Sequence, residues 1–365
     1  MTERIVLRGS DARRQISRMR LLAQRLAPVT AGTPHEVVRW LTCLQAQDFR
    51  SARSAVALRA GAAVEAVDAA IGDGAIVRSW PMRGTLHLVD AADLRWMLAL
   101  TADSTLRTAR RRREQLEITG ADVDHALSVV TQTLRGGRGA TRAQVFEAWN
   151  AEGIATAGQR GVHLLETLCL RTELVLGPIS GRHQQFVLFD EWIRCSNPVD
   201  RVANVANWAT RYFRSHGPAT LADFHWWSGL LRRDLAPVWD TVRAGLAEVV
   251  AGDTSYFLAP ETLGAWDEHR GATLRPVLTP AFDEILLGYA DRTPTLDREH
   301  SGRVVPGGNG MFKATLIDGG QAVATWRRAQ TKGTAGIEVS QFDGLSRRAE
   351  RVIPGLVARY PFASR

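Results

Sequence analysis

The chain has little cysteine, almost no lysine and no long apolar run, and each shortage closes off a class of protein. Its three cysteines, Cys43, Cys169 and Cys195, lie far apart with no CxxC pair. An odd count without a framework argues against a disulfide scaffold and for a reducing compartment. The stretch MTERIVLRGSDARRQ lacks the apolar heart of a signal peptide, and no apolar run reaches the length needed to cross a bilayer. A cytoplasmic protein without a membrane partner is the expectation. The recurrent catalytic signatures are also missing: there is no GxGxxG after a strand, no GxxxxGKS/T, no GxSxG and no HExxH. The nine histidines are scattered without metal-ligand spacing, so neither a metal nor a cofactor is expected.

What the chain does have is 365 residues, 45% hydrophobic and 23% charged, which is enough for a sizeable core in two or three domains or a repeat-built fold. Of its 46 basic residues 44 are Arg, Lys313 and Lys332 being the exceptions. Residues 1–120 hold 19 Arg against 12 acids and so carry seven of the eight surplus charges. Arg is suited to a planar, bidentate grip on phosphate, but an Arg-rich composition produces the same count. The uneven placement points to an anionic partner for the first third, most commonly nucleic acid, with a merely solvated face as the alternative.

One pattern occurs three times. Thr33, Pro34 and Glu36 form a capping box with Pro at the first helical position, ahead of the periodic Val37, Val38, Leu41 and Leu44. Helical stretches at 51–60 and 64–71 follow, and 76–80 with 85–89 read as a hairpin about Pro81–Gly84. The second copy has a helix near 122–135, a box of Thr141 with Gln144, a helix at 158–171 and a hairpin about Ser180–Gly181. The third has a helix at 199–215, Thr220 with Asp223, a helix at 232–247 and the strand-like AEVVAG and SYFLA. Helices followed by a two-stranded wing make up the winged-helix arrangement, which places a helix in a groove of DNA. Runs at 313–318, 321–328 and 334–341, joined through Asp318–Gly320 and Lys332–Gly333, then read as an antiparallel meander, with a helix at 344–359. The expected architecture is therefore α+β: winged helices at 1–120, 121–197 and 198–270, and a C-terminal β-barrel-like domain at 271–365.

Gln45 and Gln47 stand out in LQAQDF, just before Arg50 and Arg53. Each carboxamide offers an acceptor and two donors, so the pair could position a water or hold a sugar and base edge, though neither titrates as a general base. Two solvent-facing residues ending a helix would look the same.

LQAQDF at 44–49, SWPMRGTLHLV at 79–89, FDEILLGYADR at 282–292, VPGGNGMF at 305–312 and ATWRR at 324–328 together resemble the AlkZ-type bacterial DNA glycosylases, a tandem winged-helix family. The set runs through the chain in family order, and Gln45 and Gln47 fall on the family's Gln-x-Gln motif, Asp48 lying one position too late for its Gln-x-Asp variant. The resemblance implies excision of alkylated purines, including bulky natural-product adducts and interstrand crosslinks, from double-stranded DNA by a monomeric enzyme. It makes Gln45 and Gln47 the catalytic pair. Arg50, Arg53, Arg83, His87, Asn309, Arg327 and Arg328 are candidate DNA contacts, since a phosphate grip needs only donors or positive charge facing the backbone. Asp283, Asp291 and Arg292 read as a buried polar network, and Trp226 and Trp227 as packing residues. A winged-helix regulator without catalysis is the alternative.

Overall fold

The computed structural model describes residues 4–9, 11–30, 32–308, 310–329 and 336–363, in a mixed α+β fold. It divides into two compact units, one made of residues 1–66 and 205–364, the other of 67–204.

In the unit 67–204, helix Gly120–Leu134 starts at a capping box that the sequence reading passed over, Thr119 with Asp122, and Arg160 reaches the same carboxylate at 2.8 Å. Helix Arg142–Ala151 starts at the expected box of Thr141 and Gln144. Its Trp149 is fully buried and donates its indole N–H to the Ala126 carbonyl at 2.9 Å, which fixes this helix on the preceding one. Both hairpins form as expected, Ile76–Met82 with Thr85–Asp90 and Leu174–Ser180 with His183–Leu188. They also join: Ile76–Met82 pairs antiparallel with Leu174–Ser180 through Arg78 and Leu176. The unit's strands thus run in the order Thr85–Asp90, Ile76–Met82, Leu174–Ser180, His183–Leu188, Ala140–Thr141. Joining the inner edges pairs backbone groups that two isolated hairpins would leave open, and a lone hairpin is marginal in water.

The other unit begins with two elements that the sequence reading did not separate out. Strand Arg4–Leu7 lies parallel to Ala247–Ala251, which pairs antiparallel with Thr254–Leu258. Helix Ala12–Ala23 packs Ile16 and Met19 against Val249 and Leu258 of that sheet, and Leu21 against Ile285, Leu286 and Ile317. A Cβ on Gly320, whose φ is +88°, would come within 2.8 Å of the Arg18 side chain, so only glycine lets the turn before Gln321 approach this helix. Helix Leu221–Ser228 carries the expected box of Thr220 and Asp223. The helix expected at 232–247 is broken into Arg232–Leu235, a tight turn at Ala236–Val238 and Trp239–Ala244. Pro237 accounts for the break, having no N–H to donate and a ring that crowds the preceding turn.

The C-terminal strands form an open antiparallel sheet in the order Val277–Thr279, Thr315–Asp318, Gln321–Arg328, Ile337–Gln341. The expected barrel is not formed. Four strands of three to eight residues cannot tilt and stagger enough to close. Helix Arg347–Arg359 covers one face instead, and Val357 and Tyr360 pack with Leu316 and Trp326. The expected link at Lys332–Gly333 lies outside the described residues. No helix among the described residues is long and apolar enough to cross a membrane.

The Thr119 hydroxyl and N–H, helped by Arg160, hold the Asp122 carboxyl down to about 2 from an ordinary 3.8. The folded form thus binds its proton less readily than the unfolded form. The resulting stability is fully present above about pH 4 and is lost as the pH falls toward 2. Denaturant unfolding between pH 5 and pH 2.5 is expected to show a shallower acid loss in Asp122→Asn than in the parent; equal slopes would assign the acid sensitivity elsewhere.

Candidate active site

The first capped helix, Pro34–Leu41, ends earlier than its apolar period suggests. Thr42 takes φ +71° and ψ −51° and turns the chain into the short strand Cys43–Gln45. A β-branched residue at positive φ costs about 1–3 kcal/mol and persists only where its surroundings enforce it. Thr42 is fully buried, and its Oγ1 has no hydrogen-bond partner among the described residues. The glutamines therefore do not end a helix. Gln45 is half-buried at the end of the strand, Ala46 is fully buried, and Gln47 is exposed. Asp48 Oδ1 then accepts from the Arg50 and Ser51 N–H groups and caps helix Phe49–Ala60.

Two adjacent acids hold this segment from behind. Arg59, at the end of helix Phe49–Ala60, makes a bidentate pair with Asp283 at 2.8 and 2.9 Å, and both side chains are buried. The Gln24 carbonyl accepts from Arg59 Nε at 3.0 Å, and Gln24 Oε1 accepts from the same guanidinium at 2.8 Å. Glu284 Oε1 accepts the backbone N–H of Gln45 at 3.1 Å. Its Oε2 accepts the indole N–H of Trp227 at 2.9 Å and lies 3.5 Å from His216 Nε2. Burial pushes the His216 imidazole below its ordinary pKa against the pull of Glu284, and its Nδ1 lies 2.9 Å from Ser215 Oγ. Phe282, directly before the two acids, is again a non-glycine residue at positive φ, +58°. Strained backbone thus stands on both sides of the Gln45–Glu284 contact.

Sequence reasoning missed Glu284. The available signal was an acid inside the apolar run of Ile285, Leu286 and Leu287, where a carboxylate must find donors or stay uncharged. Asp283 belongs to a buried network as expected. Asp291 is exposed and caps Thr293, and the Arg292 guanidinium lies over the Trp226 and Phe312 rings. Trp227 is fully buried, while Trp226 keeps 37% of its surface open.

The other candidate contacts are placed unevenly. Arg50 is exposed on the first turn of its helix. Arg53, expected at the surface, is 7% exposed and stacks its guanidinium on Phe49 at 4.9 Å. Arg83 is half-buried in the hairpin turn at φ +55°. His87, also expected at the surface, is fully buried, and its Nδ1 lies 2.8 Å from the Thr85 carbonyl, where it can only donate. Exposed Arg327 pairs with Glu338 at 2.8 Å, and exposed Arg328 lies over the Phe362 ring. Asn309 lies outside the described residues. The fold does bring Asp297, Glu299 and His300 together, with ligand atoms within 4.8 Å of one another. There, however, the His300 Nε2 is already 2.9 Å from the Asp343 carboxylate.

A family model described as DNA glycosylase AlkZ-like matches residues 38–360. The interstrand DNA cross-link repair glycosylase of Streptomyces sahachiroi is 26% identical over 336 residues, which cover 86% of this chain and 87% of that protein. The solved structure of Streptomyces sahachiroi DNA glycosylase AlkZ matches with a TM-score of 0.78 at 24% identity, over 96% of this chain and 97% of that one.

Replacing Thr42 by Gly relieves the positive φ and removes an unpartnered hydroxyl. Thr42→Gly is expected to raise the unfolding free energy by about 1 kcal/mol while speeding hydrogen exchange at the Gln45 amide. A drop in stability would show that the lost packing of the buried side chain and the added freedom of the unfolded chain outweigh the relief of strain.

Proposed function

This chain belongs to the AlkZ-like DNA glycosylases, and from that premise we propose that it hydrolyses the N-glycosidic bond of purines alkylated at N7 or N3 in double-stranded DNA, with Gln45 and Gln47 as the catalytic pair. The observation that carries this reading is the placement of the two amides. They flank a fully buried alanine on a segment anchored at Gln45 by Glu284 and beyond Gln47 by the Asp48 cap.

Alkylation at N7 or N3 puts a positive charge on the purine, so the base leaves without a strong general acid. The barrier lies in stabilising an oxocarbenium-like sugar and bringing water to its anomeric carbon. A carboxamide oxygen carries partial negative charge toward the sugar and accepts a hydrogen bond from the water. A half-buried Gln45 and an exposed Gln47 divide the segment between a fixed wall and an open side where the duplex enters. Asp48 Oδ1 accepts two backbone N–H groups, and the carboxylate is assigned a capping role rather than that of a base.

Arg50, Arg83, Arg327 and Arg328 are the proposed phosphate contacts, and the helix–helix–hairpin segments are proposed to work as winged-helix modules against the duplex. Interstrand crosslinks, the substrate named for the Streptomyces sahachiroi relative, and bulky adducts are the proposed upper end of the substrate range. Family membership sets aside the regulator alternative. Lys313 and Lys332, the chain's two lysines, are far from the glutamines in sequence, and the proposed product is an intact abasic site formed without a Schiff base.

Single-turnover assays on a duplex carrying 7-methylguanine test this reading. The Gln45→Ala, Gln47→Ala double variant is expected to bind the duplex as the parent does and to release the base at least ~100-fold more slowly. Borohydride added to parent reactions is expected to trap no covalent complex. Full activity in the double variant, or a trapped complex, would overturn the assignment.

A further inference from the structure

Three threonine-capped helices carry a tryptophan seven or eight residues after the cap: Trp40 after Thr33, Trp149 after Thr141 and Trp227 after Thr220. In the first two copies a backbone carbonyl of the preceding helix takes the indole N–H. Ala23 accepts from Trp40 at 2.7 Å, and Ala126 from Trp149 at 2.9 Å. The third copy departs from this rule, because Trp227 donates to a side chain, the Oε2 of Glu284, at 2.9 Å. The other oxygen of that carboxylate takes the Gln45 N–H at 3.1 Å.

Glu284 is 1% exposed on a helical turn, Glu284–Leu287, whose other residues are Ile, Leu and Leu. Packing alone would favour an apolar side chain there, since a buried carboxylate is costly unless donors surround it. Two donors that face it are the indole of Trp227 and the backbone N–H of Gln45.

We propose that Glu284 is a positioning residue for the glutamine pair, its two oxygens fixing the Gln45 backbone against the Trp227 indole so that Gln45 and Gln47 stand where the sugar and the water meet them. This rests on the reading of Gln45 and Gln47 as the catalytic pair. Glu284 reaches the reaction only through Gln45. What the site requires of it is two acceptors facing two donors, and an amide of the same shape supplies one.

The requirement gives a test that a general loss of packing would not mimic. In Glu284→Gln the amide NH₂ must face either the Gln45 N–H or the Trp227 N–H, so one donor loses its acceptor. Adding Trp227→Phe removes the competing donor. The amide oxygen is then free to turn to Gln45, with its NH₂ toward His216 Nε2, the ring nitrogen not engaged by Ser215. Single-turnover release and affinity are measured on the 7-methylguanine duplex for Glu284→Gln, Trp227→Phe and the pair combined. Glu284→Gln is expected to release the base about a hundredfold more slowly at unchanged affinity, and the combined variant to recover most of the rate of Trp227→Phe alone.

A Glu284→Gln protein working at the parent rate would overturn the proposal. So would rate and affinity falling together without recovery in the combined variant. The Gln45→Ala, Gln47→Ala protein measured alongside separates the two readings. If it is inactive while Glu284→Gln is not, only the positioning role fails. If it is fully active, the catalytic assignment fails.

Discussion

The buried pairing of Arg59 with Asp283 is the constraint on which the candidate site depends. It joins the helix that follows the glutamines to a turn more than two hundred residues later in the chain, with two hydrogen bonds in an apolar setting. Removing one partner of such a pair strands a buried charge at a cost of about 3–5 kcal/mol. Next to Asp283, Glu284 meets the Gln45 backbone through Oε1 and the Trp227 indole through Oε2. Gln24 completes the arrangement: it accepts from Arg59 and donates to the Glu284 carbonyl at 3.1 Å and the Tyr289 hydroxyl at 2.9 Å. Gln24, Arg59 and the two acids thus form one network behind Gln45.

The arginine surplus looks different once the side chains are located. Arg20 and Arg59 are fully buried and Arg53 nearly so. Arg20 lies over the Tyr289 ring and 3.7 Å from Asp223, the residue that also closes the third capping box. These arginines hold the unit together, which is work for a planar, always-charged group with five donors. The first third is therefore less rich in exposed positive charge than its net +7 suggests.

What was legible in the sequence was whatever local chemistry determines. The boxes at Thr33, Thr141 and Thr220 and all three hairpins depend on residues three to fourteen positions apart, and they stand where the sequence puts them. The break at Pro237 was legible in principle and was overridden by the apolar period around it. Strand Arg4–Leu7 was not legible, because its partner strand among the described residues lies some two hundred and forty residues on. For the same reason the barrel was an overreach, since closure depends on strand number and stagger, which alternating runs do not encode. At the site, Gln45 and Gln47 were visible through the ordered family motifs. The strain at Thr42 and the carboxylate behind Gln45 are properties of the folded chain alone.

Two amides performing the chemistry without a titrating base is the central claim, and the pH dependence of excision tests it most directly. Single-turnover release should be measured on a duplex whose alkylated base does not ionise across the range used, from mildly acidic to mildly alkaline. A carboxamide neither gains nor loses a proton there, so the rate is expected to be flat. A rate that rises tenfold per pH unit to a plateau would reveal a carboxylate or imidazole base and contradict the account.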